Sequence, residues 1–330
     1  MSKIKVGLLG GGTVALSFLD LVQVHSLNIE VVALLVKNES KPRGVTRIPV
    51  TSSENEFFSL YDFDILVDAS NAGNERWSVI EKTMLSKKPV VSANKKWIVD
   101  QFDAFHSLAR LCEVPFLYEA ATAAAIPVVK ALNSYYKDLD IQGIKGILNG
   151  SCNYILSQME RGCTFQDALK EAQLKGFAEE DPSLDLSGED ARSKLLLLVY
   201  HGFGKKMNRN HISLQGIQNL REQDFKNAAQ RGETIRLIAE ARILKGEIKA
   251  EVRPRCIPKT SSLGQVKGAL NAIEITTAFG CTESFTGQGA GGTPTAQALI
   301  SDLFSALEGF DYQDTKAFLS DRSKCENIME

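Results

Sequence analysis

The residues Ile-Lys-Val-Gly-Leu-Leu at 4–9 run without a break into Gly10-Gly11-Gly12-Thr13-Val14-Ala15. A short, mostly apolar run ahead of a glycine turn reads as a strand, and 14–24 continues as an amphipathic helix. The turn fits the pattern G-x-G-x-x-A. Glycine at 10 permits the tight turn, glycine at 12 lets backbone approach a pyrophosphate, and Ala15 lets the helix pack on the strand. The amides that open the helix, at Thr13 and Val14, then form an anion site. Glycine turns after strands are common, so the weight lies in the context: a strand before, a helix after, and a second apolar strand at 29–36.

The alternation continues with strands at 64–68, 89–92 and 115–118 and helices at 75–85 and from Lys96. Repeating β-α-β units with short connections predict an α/β fold with a doubly wound parallel sheet. Ligands of such sheets bind outside the carboxyl ends of the strands. Ser70-Asn71-Ala72-Gly73 and Ser92-Ala93-Asn94-Lys95 occupy two of those ends. Ser70, Asn71, Ser92 and Ala93 are therefore candidate cofactor contacts. Lys95 stands where chemistry is expected, although a lone lysine is more often a surface residue. Past the second strand, where an NAD-binding chain commonly shows an acidic residue, this one offers Lys37, Lys41 and Arg43. Three cations there favour the 2′-phosphate of NADP over NAD; the plain alternative is a solvated basic loop.

The second half is marked by residues 176–194, which place Glu179, Glu180, Asp181, Asp185, Glu189 and Asp190 ahead of Lys194. Asp181-Pro182 and Ser187-Gly188 are turn signals, so the first part reads as a loop. Ser187 with Asp190 three residues on fits a capping box before the apolar run 195–200. Asp190 and Lys194 then face the same way, one helical turn apart. One reading is a solvated acidic loop with a surface ion pair worth about 0.3–0.5 kcal/mol. The other is a pocket whose carboxylates take an ammonium group and whose lysine takes a carboxylate or carbonyl.

Upstream, a strand at 141–148 ends in the turn Asn149-Gly150, and Ser151-Cys152-Asn153 opens a helix over 154–161. A cysteine at a helix start is a candidate thiolate nucleophile. The four histidines fit no motif that would supply its base, which favours a small buried residue instead. Strands at 234–241, 248–252 and 271–277, with helices at 195–202 and 224–232, predict a second, α+β layer. Gly287–Gly292, ahead of a small-residue helix at 293–307, is a second anion or ribose contact. The polar tail after Asp311 reads as a frayed terminus.

Length and composition set the limits. The 330 residues suit one very large domain or two ordinary ones, and 44% apolar with 24% charged residues is a soluble globular balance. A net charge of −2 gives no electrostatic case for nucleic acid or an anionic membrane. No apolar run reaches a bilayer span. Six cysteines without a CxxC pair or zinc-type spacing predict reduced thiols and a cytoplasmic protein.

Taken together, the motifs resemble homoserine dehydrogenase from about residue 3 to residue 310. The segments that carry the resemblance are Gly-Gly-Gly-Thr-Val at 10–14, Ser-Ala-Asn-Lys at 92–95 and Tyr-Glu-Ala at 118–120. They continue with Gly-Ile-Leu-Asn-Gly-Ser-Cys-Asn-Tyr-Ile-Leu at 146–156, Ala-Gln at 172–173 and Gly-Phe-Ala-Glu-Glu-Asp-Pro at 176–182. Asp185, Gly188, Asp190, Lys194, and Gly-Gln-Gly-Ala-Gly with Pro-Thr-Ala within 287–296 complete the set.

The resemblance implies a Rossmann-type cofactor domain at 1–133, a substrate and dimerisation domain at 134–290, and a C-terminal helix within 291–330 that returns to the first. It implies a homodimer that interconverts L-homoserine and L-aspartate 4-semialdehyde, a step of threonine and methionine biosynthesis, with NADP or NAD. Cofactor contacts carry over to Gly10, Gly12, Thr13, Val14, Lys37, Arg43, Ser70, Asn71, Ser92, Ala93 and Gly289. Asn149, Gly150 and Ser151 fall in the substrate pocket with Glu179 and Asp185, which hold the ammonium, and with Asp190, which orients Lys194 and the hydroxyl. Either lysine is a candidate acid/base; the assignment adopted gives the proton to Lys95 and substrate positioning to Lys194.

Departures from the family pattern are as informative. Thr122-Ala123-Ala124-Ala125 replaces a glycine-rich turn, and alanine is disfavoured at positive φ. Carbonyls near that turn bind Na+ or K+ in many members, making Glu119, Thr122 and Ala124 candidate backbone ligands. Ser151-Cys152 for Thr-Thr is a milder change. A C-terminal regulatory domain and feedback inhibition by threonine are not expected. The alternatives are a paralogue acting on another small amino-acid carbonyl and a silent nucleotide-binding protein. Retention of Lys95, Glu179, Asp185, Asp190 and Lys194 together argues against the latter.

Overall fold

Strands buried on both faces of a parallel sheet have to be apolar throughout. The first part of the chain follows this in β1 (Ile4–Leu9), β2 (Ile29–Leu35), β4 (Ile65–Asp68), β5 (Val90–Ser92) and β6 (Phe116–Leu117), with polar residues only near strand ends: exposed Lys5 and Glu30 at the starts of β1 and β2, buried Asp68 and Ser92 closing β4 and β5. The edge strand β3 (Val50–Thr51) completes a six-stranded sheet in the order β3-β2-β1-β4-β5-β6, with every pairing parallel. Helices α1 (Thr13–Val24), α2 (Glu54–Leu60), α3 (Trp77–Leu85), α4 (Lys95–Asp100) and α5 (Phe102–Cys112) connect the strands. This is the doubly wound order that reverses between β1 and β4. The computed structural model describes residues 2–45, 47–71, 73 and 76–312. Ala72, Glu75, Cys325 and, apart from Tyr312, the tail expected to fray lie outside the described residues.

The chain divides into two compact units, Met1–Ala125 with Ala290–Tyr312, and Ile126–Gly289. The second holds α6 (Val128–Asn133), β7 (Ile141–Ile147), α7 (Gly150–Glu160), α8 (Phe165–Leu174), α9 (Ser183–Leu186) and α10 (Glu189–Phe203). It continues through β8 (Ile212–Leu214), α11 (Glu222–Gln230), β9 (Glu233–Leu244), β10 (Glu247–Pro258), α12 (Ser262–Gln265), β11 (Leu270–Thr277) and β12 (Thr282–Gln288). Its sheet runs β12-β11-β7-β9-β10-β8, antiparallel except for β10 with β8. Helices α7, α10 and α11 pack on it. Helix α6 belongs here because it packs on α10, so the first unit ends at Ala125 and not at 133. The last helix, α13 (Gly292–Leu307), rejoins the first unit along α1. A Cβ at Gly292 would come within 2.4 Å of Ser17 Oγ, so glycine there permits the close approach.

Several local expectations are corrected. Strand β12 alternates between exposed and half-buried positions with no buried residue, so no apolar pattern announces it. Gly287 and Gln288 consequently end a strand, and the glycine loop before α13 is shorter than 287–292. The loop expected across 176–187 contains the short helix α9. The capping box of Ser187 and Asp190 does not form: Gly188, at φ +86°, is the N-cap of α10, and Asp190 is drawn into other contacts. Helix α7 starts at Gly150, before the expected 154, because the Asn149 side chain caps it. Among the described residues no helix is long and apolar enough to cross a membrane.

Candidate active site

In the second unit, the site grows from one asparagine. Asn149 follows β7, and its Oδ1 accepts from Cys152 N at 2.8 Å, which caps α7. The same carboxamide then has two N–H donors to place. Nδ2 donates to Asp185 Oδ1 at 2.7 Å and to Asp190 Oδ2 at 2.9 Å, joining two half-buried carboxylates. Lys194, 6% exposed, places Nζ 3.0 Å from Asp190 Oδ2 and donates to the Leu148 carbonyl at 2.7 Å. The spacing of Asp190 and Lys194 therefore makes a buried pair, not the solvated surface pair.

Charge is concentrated here by construction. Burial and the neighbouring Asp190 carboxylate raise the Asp185 pKa, against the pull of Asn149 and Lys194. Cys152 is fully buried beside this pair, donating Sγ–H to the Asp185 carbonyl at 3.1 Å. Burial and then the two carboxylates push its thiol well up, so it is no thiolate nucleophile. Gly150 is needed because a Cβ there would meet the Ala269 carbonyl at 2.6 Å. Ser151 Oγ donates to the Phe177 carbonyl at 2.5 Å.

The other carboxylates of 176–194 separate by role. Asp181 accepts from Ser183 N at 3.1 Å, at the start of α9. Glu189 pairs with Arg192 at 2.5 Å and also with Arg209. Glu179 and Glu180 carry exposed side chains on the loop before α9.

In the first unit, the glycine turn has the geometry its pattern requires. Gly10 sits at φ +106°, and a Cβ there would meet the Ala69 carbonyl at 2.9 Å. Gly12 is the N-cap of α1 with no side chain capping it, and beyond its own chain neighbours no atom lies within 4 Å of where its Cβ would stand. The open cradle at Gly12 and the amides of Thr13 and Val14 fit a dinucleotide pyrophosphate. The middle glycine has its own reason: a Cβ at Gly11 would fall 2.4 Å from Arg43 Nε. Arg43 is held there by the carbonyls of Lys41 at 2.7 Å and Asn38 at 2.5 Å. Lys37 is exposed just past β2.

The residue that organises the strand ends was not expected. Asp68, fully buried at the end of β4, accepts from Ser70 N at 3.0 Å and Ser70 Oγ at 2.6 Å through Oδ1. Its Oδ2 accepts from Ser92 Oγ at 2.8 Å and Trp97 Nε1 at 2.9 Å. Burial raises its pKa against the pull of these donors. The Asp68 carbonyl also takes Ala93 N at 2.9 Å, and Ser92 Oγ takes Asn94 N at 3.0 Å. Half-buried Lys95 is the first residue of α4, directly behind this network. Asn71 is exposed. A carboxylate closing an otherwise apolar, fully buried strand is the signal that would have found Asp68.

The remaining expected positions have local surroundings of their own. Gly289 is buried against Asn271, whose Nδ2 would be 2.0 Å from a Cβ there. Glu119, Thr122 and Ala124 are all buried, and Glu119 N donates to Asp302 Oδ2 at 2.8 Å. Ala124 does take positive φ, at +46°. The turn thus keeps a glycine-like backbone while carrying a methyl group. Among the described residues no cluster of His, Cys, Asp and Glu side chains could hold a metal ion.

Comparison with known proteins agrees with this geometry. Residues 10–119 match the family model "Homoserine dehydrogenase, NAD binding domain", and residues 127–304 match "Homoserine dehydrogenase". A homoserine dehydrogenase of Synechocystis is 34% identical over 92% of this chain and 73% of its own length. The crystal structure of a homoserine dehydrogenase from Thiobacillus denitrificans is similar with a TM-score of 0.87 at 32% identity, over 97% of this chain and 75% of that one. A hyperthermophilic archaeal homoserine dehydrogenase mutant, solved with NADPH, gives a TM-score of 0.77 at 25% identity, over 94% of this chain and 99% of its own. With a parallel nucleotide-binding sheet, an open glycine turn and matches over both units, this chain belongs to the homoserine dehydrogenase family, oxidoreductases that act on a CH–OH group with a nicotinamide cofactor.

Proposed function

We propose that the chain interconverts L-homoserine and L-aspartate 4-semialdehyde with NADP as preferred cofactor, and that its own residues divide the work as follows. Asp185, with Glu179, binds the substrate ammonium. Asp190 orients Lys194, which donates to the substrate and fixes its position. Lys95 takes the hydroxyl proton in the oxidation direction and returns it in reduction. The bound nicotinamide supplies the hydride chemistry, so no thiol is needed.

The observation that carries this reading is the Asn149 carboxamide, which holds Asp185 and Asp190 together while Asp190 pairs with a buried lysine. With the neutral Asn149 amide as its donor and the Asp190 carboxylate beside it, Asp185 calls for positive charge. An amino-acid ammonium supplies it, and the lysine supplies a donor for an oxygen of the same substrate. The pyrophosphate falls to the amides at Gly12, Thr13 and Val14, flanked by Gly10, Ser70, Asn71, Ser92 and Ala93.

The NADP preference is supported by Arg43, held over the glycine turn, by exposed Lys37, and by the NADPH complex of the archaeal relative. A homodimer, a cytoplasmic location and a monovalent cation on the backbone of Glu119, Thr122 and Ala124 rest on the family and complete the proposal. Assaying homoserine oxidation with NADP and NAD separately, with and without Na+ or K+, tests the reaction, the cofactor preference and the cation. Faster turnover with NADP, lost on Arg43→Ala, is expected. No turnover by folded protein that still binds cofactor would move the reading to another amino-acid carbonyl.

A further inference from the structure

The loop between α8 and α9 carries Glu179, and its anchoring is uneven. Gly176, at φ +73°, turns the chain out of α8, and the N–H groups of Phe177 and Ala178 both reach the Ala172 carbonyl, at 2.8 and 3.3 Å. Phe177 is held further, by Ser151 Oγ on its carbonyl and by Tyr154, ring to ring at 4.8 Å. Beyond Ala178 the means of attachment changes. Gln173 Nε2 donates to the carbonyls of both Glu179, at 3.1 Å, and Glu180, at 3.3 Å. A primary amide has the two N–H groups this requires.

Gln173 sits near the end of α8, and α8 is tied to α7. Gln158 Nε2 donates to Glu171 Oε2 at 2.7 Å, and Lys175 Nζ donates to Tyr154 Oη at 2.8 Å. Helix α7 is the one capped by Asn149, which holds Asp185 and Asp190. One carboxamide therefore links the exposed Glu179 segment to the same frame that fixes the two half-buried carboxylates. The plain alternative is an exposed hydrogen bond with a small effect on stability. The double attachment on Glu179 and Glu180 favours a role in placing them.

We infer that Gln173 is a positioning residue for substrate binding: it holds the 179–180 backbone so that the Glu179 carboxylate is presented to the substrate ammonium. The inference rests on the ammonium role proposed for Glu179. Gln173→Met keeps length and shape and removes both donors. It should raise KM for L-homoserine about ten-fold, with kcat within about two-fold and KM for NADP unchanged, since a hydrogen bond is worth about a factor of ten at most. Added to Glu179→Gln, which itself raises that KM, Gln173→Met should have little further effect.

If Gln173→Met leaves KM unchanged while Glu179→Gln raises it, the inference is overturned and the role of Glu179 stands. If Gln173→Met acts equally in both backgrounds, it does not act through Glu179, and the inference is again overturned. If Glu179→Gln leaves KM unchanged, the ammonium role falls and the inference falls with it.

Discussion

Asp68 in the first unit and Asp185 in the second are both carboxylates withdrawn from water, and they are stabilised in opposite ways. Asp68 accepts four hydrogen bonds from neutral donors on Ser70, Ser92 and Trp97, so its charge is met without a cation. Asp185 shares one asparagine with a second carboxylate, and the nearest ammonium is bound to that second carboxylate. The first arrangement is complete and suits a scaffold that fixes strand ends and the start of α4. The second, a carboxylate on a neutral amide with another carboxylate beside it, suits a receptor for a cation. Burial alone does not separate scaffold from receptor; the partners do.

The largest effect expected from this contrast is at Lys194. Lys194→Met leaves Asp190 buried without its cation, which should cost about 3–5 kcal/mol of stability. Denaturant unfolding measures it, and activity should fall with it. Asp68→Asn comes next: its amide presents N–H groups to donors, for a loss of about 1–3 kcal/mol. Cofactor affinity should weaken, while the pH dependence of KM for homoserine stays as in the unaltered protein. A shifted KM profile in that variant would break the distinction between the two sites.

Titration sharpens the comparison further. Because burial and Asp190 raise the Asp185 pKa, this residue takes up a proton at higher pH than an exposed aspartate does. Acidification through that raised value removes the charge that holds the ammonium, so KM for homoserine should rise as pH falls. Stability of the substrate-free protein should move the other way. The folded state binds the proton more tightly than the unfolded one, so this group's contribution to stability declines as pH rises from the unfolded to the folded value. Asp185→Asn should abolish both trends. The smallest effect isolates backbone strain from charge. Ala124→Gly relieves a buried alanine at φ +46° and should stabilise the protein by about 0.5–1 kcal/mol, read as a raised Tm.

Much of the fold was legible because it is local. The apolar strands, the glycine turn and the Asp190–Lys194 spacing each depend on a few neighbouring residues. What escaped depends on distance or on the absence of a pattern. Asn149 reads locally as a turn residue and reaches the pocket only through the resemblance; its hold on Asp185 and Asp190, 36 and 41 positions away, comes with the fold. Arg43 reads as one of three cations of a basic loop until its guanidinium is seen on the carbonyls of that loop, which hold its stem over Gly11. β12 has no buried side to betray it. Asp68 is an anomaly in the sequence, an acid ending a buried strand, but by position alone it reads as part of that strand.

The claim that Asp185 is a receptor for the substrate ammonium is tested most directly by omitting that ammonium. Relative kcat/KM would be measured for L-homoserine and for its analogue lacking the amino group, with the unaltered protein and with Asp185→Asn. The account predicts a strong preference for homoserine, reduced at least about ten-fold by the substitution, as expected for a lost charge-assisted contact. An undiminished preference in Asp185→Asn would contradict it.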